Sequence, residues 1–461
     1  MVRVLRYFLL LVLLFVGAGI VMSQEESSIR GIHKVKRKET IFGISRMYEI
    51  TIEELIDANP EMKTPGYELK KGDELRIPFS KKSGAASQTS QASSANDAST
   101  AKASSSEDLR NRAIRLGVML PLHDINGDGK RMVEYYRGVL MACDSLKKMG
   151  ISVDVHAWNT PDDGDIRQVL LDDAATRCDI IFGPLYSKQM DVLSEFVKHY
   201  DIRLVIPFSI NAPQLTTNRN IFQVWQSPNE VNEATINHFL ERFKDYHPVF
   251  IDCNDSTSKK GNFTAGLRRQ LELHGIAYKI TNLKSGEDVF TKSFSTTQKN
   301  VVILNTGRSQ ELGVAFSKLN GMKVNHPEIE VTMFGYTDWL MYTSRHLENL
   351  HKYDTYIPSV FYYNPLSAAT QRLQQKYRMN FRADMPTQLP RFALTGFDHA
   401  YFFLRGLHKY GKTFNGAAGM FGYPPVQTPL QFERYGNGGL RNRAFLFVHY
   451  KPDHLVETIK F

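Results

Sequence analysis

Cysteine is scarce in this 461-residue chain: Cys143, Cys178 and Cys253 are all there is. An odd count does not make a disulfide framework, so stability has to come from a hydrophobic core. Cys143 falls on an apolar-periodic helix and Cys253 at the end of an apolar strand, which predicts buried free thiols; a Cys143–Cys178 bridge is the alternative in an oxidising compartment. Catalytic signatures are also wanting. There is no Gly-x-Ser-x-Gly, His-Glu-x-x-His or Cys-x-x-Cys, and no phosphate loop is expected. Acidic-His neighbours such as Asp398-His399 would point to different faces of a helix. The expectation is a non-enzyme with no cofactor and no metal.

Long apolar runs are few. Arg3 and Arg6 precede a run from Tyr7 to Val16, then Gly17-Ala18-Gly19 and a polar exit at Ser23-Gln24-Glu25. A span needs about 20 apolar residues, so residues 1–23 read as a cleaved secretory signal peptide, with an uncleaved membrane anchor as the alternative. No cysteine lies near the cleavage site, so a bacterial lipoprotein is not expected. The expected destination is the cell envelope, in a Gram-negative cell the periplasm.

Residues 80–110 form a linker. From Ser80 to Asp108 there is no aromatic residue and no Leu, Ile or Val. Such a Ser/Ala-rich stretch cannot bury enough surface to order itself and reads as a flexible tether between folded units. The formal net charge is +9, and it stays basic after loss of Arg3 and Arg6. The basic residues are interspersed with acids rather than run in a block. That balance suits an anionic setting such as peptidoglycan or headgroups, and no nucleic acid partner is expected.

Ahead of the tether, residues 31–79 carry a dense order of signals. Val35 opens a strand. Thr40 caps a helix with Ile41, Ile44, Met47 and Tyr48 at helical spacing, and Thr51 caps a second with Ile52, Leu55, Ile56 and Ala58. Asn59-Pro60 stops it, and Gly72-Asp73 turns into a strand from Leu75 to Ile77. The result is β-α-α-β. This segment resembles a LysM domain at Val35, Glu39-Thr40, Ile44, Tyr48, Leu55, Asn59-Pro60, Gly72, Leu75 and Ile77-Pro78; Lys38 departs from the family's usual Gly. The resemblance implies binding of N-acetylglucosamine-containing glycans, chiefly peptidoglycan. It places the sugar between Glu39, Thr40, Ile41 and Phe42 on one side and Asn59, Pro60, Glu61 and Met62 on the other. Ile41 and Phe42 would offer an apolar floor to acetyl groups, unless they are simply core.

Residues 111–461 exceed the roughly 250–300 residues at which one core stops growing, so two lobes are expected. Strand Ile114–Leu122 leads to a helix ending at Gly150. Strands near 153–157, 179–182 and 203–206 alternate with helices, one of them Ile166–Arg177. The pattern restarts with helix Glu230–Lys244 and strands near 249–252, 277–281, 300–304 and 330–334. Two such runs predict two doubly wound parallel-sheet lobes, an α/β class. Ligands of such sheets bind beyond the strands' carboxyl ends. The decoy Asp124-Ile-Asn126-Gly-Asp128-Gly129 has the first half of a calcium loop, but Tyr135 stands where the closing Glu is needed; an ordinary turn is expected.

The body is similar to type I periplasmic binding proteins of the branched-chain amino-acid class. The carrying residues are Gly117–Leu122, Asp179–Ser187, Ile206–Ser209, Phe334–Trp339 and Leu394–Tyr401. The resemblance implies two lobes joined by a hinge, with chain crossings at 220–229 and 356–365. By that resemblance, Ser187 and Ser209, with Tyr186 beside them, would hold a carboxylate and Asp338 an ammonium. Read bottom-up, the serines are equally helix caps. Phe208 adds bulk there, and Arg308 suggests an anionic group or an internal salt bridge. The expectation is a wall-associated, non-catalytic protein that senses or scaffolds. The alternatives are a receptor for a small amino-acid-like solute and a regulator of wall synthesis through an envelope protein partner.

Overall fold

The computed structural model describes residues 29–36, 39–48, 50–64, 67, 69–78, 108–208, 212–420 and 422–461. The expected leader, most of the expected tether, Lys38 and Ser209 lie outside the described residues. Among those described, no helix is long and apolar enough to cross a membrane. The chain divides into two compact units, Met1–Lys102 and Ala103–Phe461.

In the first unit β1 (Ile29–Lys34) pairs antiparallel with β2 (Glu74–Pro78). Between them run α1 (Ile41–Met47), α2 (Ile52–Ala58) and a 3-10 turn at Pro60–Lys63. Capping sets the helix starts. Gly43 N donates to Thr40 Oγ1 at 3.0 Å, and Thr51 and Glu54 form a reciprocal capping box. β2 alternates, with Leu75 and Ile77 buried and Glu74 and Arg76 out. The core is Val35, Ile44, Ile50, Leu55, Leu75 and Ile77. The first strand thus ends just before Val35, which is core beyond the ladder.

The second unit has two lobes. The first lobe opens with β3 (Ile114–Leu120), α3 (Gly127–Lys147), β4 (Val153–Asn159), α4 (Ile166–Leu170), α5 (Asp173–Thr176), β5 (Ile180–Phe182), α6 (Met190–His199), β6 (Arg203–Ile206) and β7 (Ile221–Gln223). The helix expected over 166–177 is two, because Asp172 accepts from Ala174 N at 2.9 Å and caps a fresh start. The chain then crosses. The second lobe is α7 (Pro228–Phe243), β8 (His247–Asp252), α8 (Gly261–Leu273), β9 (Lys279–Asn282), α9 (Glu287–Thr291), β10 (Asn300–Leu304), α10 (Ser309–Asn325), β11 (Val331–Phe334), α11 (Thr343–Lys352) and β12 (Thr355–Ser359). A second crossing returns to the first lobe for α12 (Ala368–Phe381), α13 (Phe392–Tyr410), β13 (Phe432–Arg434) and β14 (Leu440–Asn442). A third, through 443–445, delivers β15 (Leu446–Tyr450) and β16 (Val456–Lys460) to the second lobe.

Strand order is β13-β14-β7-β6-β5-β3-β4 in the first sheet and β16-β15-β12-β11-β10-β8-β9 in the second. Both are parallel at heart but mixed at one edge. β13 is antiparallel to β14, β15 to β12 and β16 to β15. Central strands are buried on both faces, as parallel sheets require. Leu116, Val118, Ile180, Phe182 and Val205 pack under α3 and α13, while Met119, Ile181, Leu204 and Ile206 pack on the opposite face with α6. The crossings are tied together: Gln226 Nε2 donates to Ala444 O at 2.7 Å, and Glu230 pairs with Arg441 at 2.5 Å. All three cysteines are free, Cys178 and Cys253 buried and Cys143 half-buried.

Candidate functional site

In the first unit, Glu39 braces the loop before α1. Its carboxylate accepts from Lys36 N at 2.7 Å and lies 2.8 Å from His33 Nε2, whose Nδ1 is 2.9 Å from Tyr48 Oη. The Lys36 N–H, and after it His33, hold Glu39 below the usual carboxylate range. Asn59 is fully buried. It donates to Leu55 O at 2.7 Å and Arg76 O at 2.8 Å and accepts from Arg76 N at 2.7 Å, so it clasps α2 to β2. Ile41 and Met62, one from each expected side of the glycan, are half-buried against the same small core. Thr40 is half-buried, and Pro60 and Glu61 are exposed. The side chain of Phe42 lies outside the described residues. Of the eight residues expected around a glycan, Glu39 and Asn59 are committed to the frame, and Thr40, Ile41, Pro60, Glu61 and Met62 offer surface.

In the second unit, the carboxyl ends of the strands form a mouth on each lobe. On the first lobe His123 follows β3, Thr160 follows β4 and Tyr186 to Gln189 follow β5. Tyr186 Oη donates a long bond, 3.4 Å, to Asp128 Oδ2, and Asp128 also pairs with Arg131. Ser187 opens the 3-10 turn at Ser187–Gln189. His123 Nδ1, Thr160 Oγ1 and Gln189 Oε1 are shielded from solvent without a hydrogen-bond partner among the described residues. Phe208 turns into the core, its ring 5.3 Å from that of Tyr135 and 5.4 Å from that of Phe392. The calcium-like stretch is a helix start: Asn126 Oδ1 accepts from Gly129 N at 2.9 Å and α3 begins at Gly127.

The second lobe's mouth has its charges matched internally. Asp255 accepts from Thr257 N at 2.9 Å, Thr257 Oγ1 at 2.6 Å and Thr306 Oγ1 at 2.7 Å. The two threonine hydroxyls lead in holding it at about 2. Arg308 reaches Asp255 and Glu311, each at 3.5 Å, so the internal salt bridge is the alternative observed. Asp338 Oδ2 lies 2.6 Å from Lys260 Nζ, which also sits 4.7 Å from the Tyr336 ring centroid. Lys260 was not legible as a site residue. Its place just before α8, beyond the end of β8, is the available signal.

One sequence expectation is corrected here. Gly406-Leu-His-Lys-Tyr-Gly-Lys-Thr413 does have the spacing of a phosphate loop. That motif needs a strand before it and a helix after it, so that N–H groups converge on phosphate. Here the segment ends α13, where carbonyls are presented instead, and Lys412 pairs with Asp201. The pattern has no phosphate-loop geometry. Among the described residues no group of three or more His, Cys, Asp or Glu could hold a metal ion.

A model of the LysM domain family matches residues 33–78. No curated protein matches the chain. Among solved structures, a putative branched-chain amino acid ABC transporter from Rhodospirillum rubrum aligns with TM-score 0.52 and 13% identity, over 76% of this chain and 100% of that one. Full-length LpoA from Haemophilus influenzae aligns with TM-score 0.48 and 13% identity, over 76% of this chain and 59% of that one. An ABC transporter substrate-binding protein from Desulfitobacterium hafniense in complex with Leu aligns with TM-score 0.41 and 15% identity, over 76% and 100%. Residues 33–78 are a LysM domain, and the body after them has the two-lobed fold of periplasmic branched-chain amino-acid-binding proteins.

Proposed function

We propose that this chain is a secreted, wall-associated envelope protein without catalytic activity. Its LysM domain holds N-acetylglucosamine-containing glycan of peptidoglycan, and residues 80–110 tether a two-lobed body that senses or scaffolds. The observation that carries the reading is the LysM match at 33–78, on a module whose surface residues Thr40, Ile41, Pro60, Glu61 and Met62 flank the two expected glycan loops. Tethering keeps the body near the wall and raises its local concentration there. A shuttle that feeds a transporter gains nothing from being fixed. The Lys260–Asp338 pair supports the same choice, because it neutralises the acid that an amino-acid receptor would present to a ligand ammonium.

The test is cosedimentation of the full mature chain with purified peptidoglycan. Wild type pellets with the wall. Ile41→Asp and Met62→Asp put charge on the apolar contact and weaken pelleting by roughly tenfold, the equivalent of about 1.4 kcal/mol. Pelleting that both variants leave untouched sinks the reading.

A second reading has its own observation. The unpartnered His123 Nδ1, Thr160 Oγ1 and Gln189 Oε1 in the first lobe's mouth would suit a small polar ligand, including an amino-acid-like solute. Ser187 and Tyr186 neighbour that mouth. A ligand-dependent rise in the body's unfolding temperature, removed by Gln189→Leu, favours it. A regulator acting on wall synthesis through a protein partner is the scaffold reading with its target specified.

A further inference from the structure

Away from both mouths, the outer face of the first lobe carries a groove of about 340 Å3 between α3, α12, α13 and the loop at 423–426. Its floor is apolar: Leu373, Phe397 and Val426. Its wall is a run of rings. Phe397 stacks on Tyr401 at 5.6 Å and 20°, and Tyr401 on Tyr423 at 5.6 Å and 27°. Its rim is cationic, with Lys148, Arg372 and Lys376. Lys376 has its three N–H donors committed, at 2.6 Å from Asp144 Oδ2, 2.9 Å from Ser145 Oγ and 3.0 Å from Met141 O, and Lys148 is 3.9 Å from the same Asp144. Arg372 is exposed and has no hydrogen bond or ion pair among the described residues. Asp144 thus meets Lys376 closely and Lys148 loosely, and among the described residues Arg372 has no acid.

The wall is rigidly built. Asp398, fully buried on α13, accepts from Val426 N at 2.9 Å, Gln427 N at 2.8 Å, Thr428 N at 2.7 Å and the Tyr423 hydroxyl. Those N–H groups are spent inward, so the loop offers no backbone nest for a phosphate. Anion recognition falls to the side-chain cations at the rim. A second groove of similar volume has Met149 and Arg405 in its lining. Tyr401 of the first groove links the two: its hydroxyl donates to Met149 Sδ at 3.3 Å and its ring lies 5.8 Å from the Arg405 guanidinium. Arg110, His408 and Lys409 add to the basic rim there.

We propose that this double groove is a binding site for a short acidic peptide, with carboxylates on Arg372 and Lys148 and an apolar or aromatic side chain on the Phe397–Tyr401–Tyr423 wall. The volume is in the range of small-ligand sites, roughly 300–1,000 Å3. Carboxylates suit a guanidinium fork, and cations flanking rings suit a ligand that is acidic and apolar at once. The assignment is independent of glycan binding by the LysM domain and of either mouth.

The experiment is calorimetric titration of the full mature chain with sugar-free probes: Ala-Glu-Glu-Tyr, its amide counterpart Ala-Gln-Gln-Tyr, a peptide cut from the wall and freed of sugar, and inorganic phosphate. The acidic peptide binds, the amide at least about tenfold more weakly, and Arg372→Gln and Lys148→Gln each weaken the acidic one about threefold or more. Tyr401→Ala weakens both peptides. Tighter binding of the wall peptide than of the synthetic one identifies the wall as the source; equal binding leaves any acidic peptide as ligand. Absence of binding, equal binding of acid and amide, indifference to both cation substitutions, or displacement of the peptide by equimolar phosphate overturns the proposal. Because no probe carries a sugar, failure here is distinct from failure of wall cosedimentation.

Discussion

Lys260 and Asp338 lie 78 residues apart in the chain and 2.6 Å apart in the fold, in the connections beyond β8 and β11, the two strands that flank β10. Gly307 sits beneath them, where a Cβ would come within 3.0 Å of Lys260 Cε and 3.2 Å of Asp338 Cγ. By the resemblance Asp338 would hold a ligand's ammonium, and in the fold it is already paired with Lys260. Free amino acids at about 10 mM are therefore expected to leave the unfolding temperature of the wild-type protein unchanged. Binding at a hundred times Kd would stabilise by about 2.7 kcal/mol, which is several degrees at most for a body this large. A shift of that size in wild type, lost on Asp338→Ala, would reinstate the solute receptor.

The crossing of α3 and α13 depends on Gly138 and Gly396. A Cβ on Gly138 would lie 1.9 Å from Ala393 O, and one on Gly396 would lie 2.0 Å from Tyr135 O. Both obstacles are backbone, so neither can rotate away. Gly138→Ala and Gly396→Ala are each expected to cost about 3 kcal/mol or more, as overpacking that forces two helices apart. Urea unfolding followed by near-UV circular dichroism measures this. Gly321→Ala on α10, where nothing lies within 4 Å of the added Cβ, is the control and should be neutral or slightly stabilising.

Asn59 illustrates how a residue expected at a ligand becomes a residue of the frame. Its amide closes three hydrogen bonds to backbone groups of Leu55 and Arg76. Asn59→Ala would strand those groups and is expected to destabilise the LysM domain by about 2–4 kcal/mol. The predicted signature is loss of wall binding together with loss of the module's fold, read as hydrogen exchange of the Leu55 and Arg76 amides. Loss of binding with exchange unchanged would mean that Asn59 meets the glycan directly.

What the sequence disclosed and what it hid have physical causes. β3 and β5 were legible because both of their faces are buried, which leaves an apolar run such as Leu116–Leu120. The LysM domain was legible because Thr40, Thr51 and Pro60 punctuate its helices locally. The third crossing was not, since residues 443–445 link two short strands with no turn signal, and β13 and β14 have only three residues each. The break in the helix expected over 166–177 was missed although Asp172 marks it, because apolar periodicity ran through the cap. The Lys260–Asp338 and Arg308–Asp255 pairs join residues far apart in sequence, and no spacing rule announces them.

Asp398 and His399 are adjacent, fully buried on α13 and shifted in opposite directions. Burial pushes the Asp398 carboxyl up from 3.8 to about 6, against the opposing hydrogen bonds of Tyr423 and the 426–428 amides. Burial pushes His399 down from 6.5 to about 3, and its Nδ1 lies 3.0 Å from Tyr135 Oη. Below pH 6.5 the unfolded chain takes up the His399 proton and the folded protein does not, so acidification costs stability. Asp398 acts in reverse: between about 6 and 3.8 the folded protein holds the proton that the unfolded chain has released, so stability is present at low pH and lost as pH rises through 6. Each contributes a slope of about 1.4 kcal/mol per pH unit, of opposite sign, and over their shared window the two cancel. His399→Phe removes one side of the balance. Going from about pH 7 to about pH 4.5, the variant is expected to gain about 2–3 kcal/mol relative to wild type, measured by urea midpoints at both pH values. A difference between the two proteins that does not change with pH would mean that His399 titrates in the fold as it does in water, and that the site around it opens to protons.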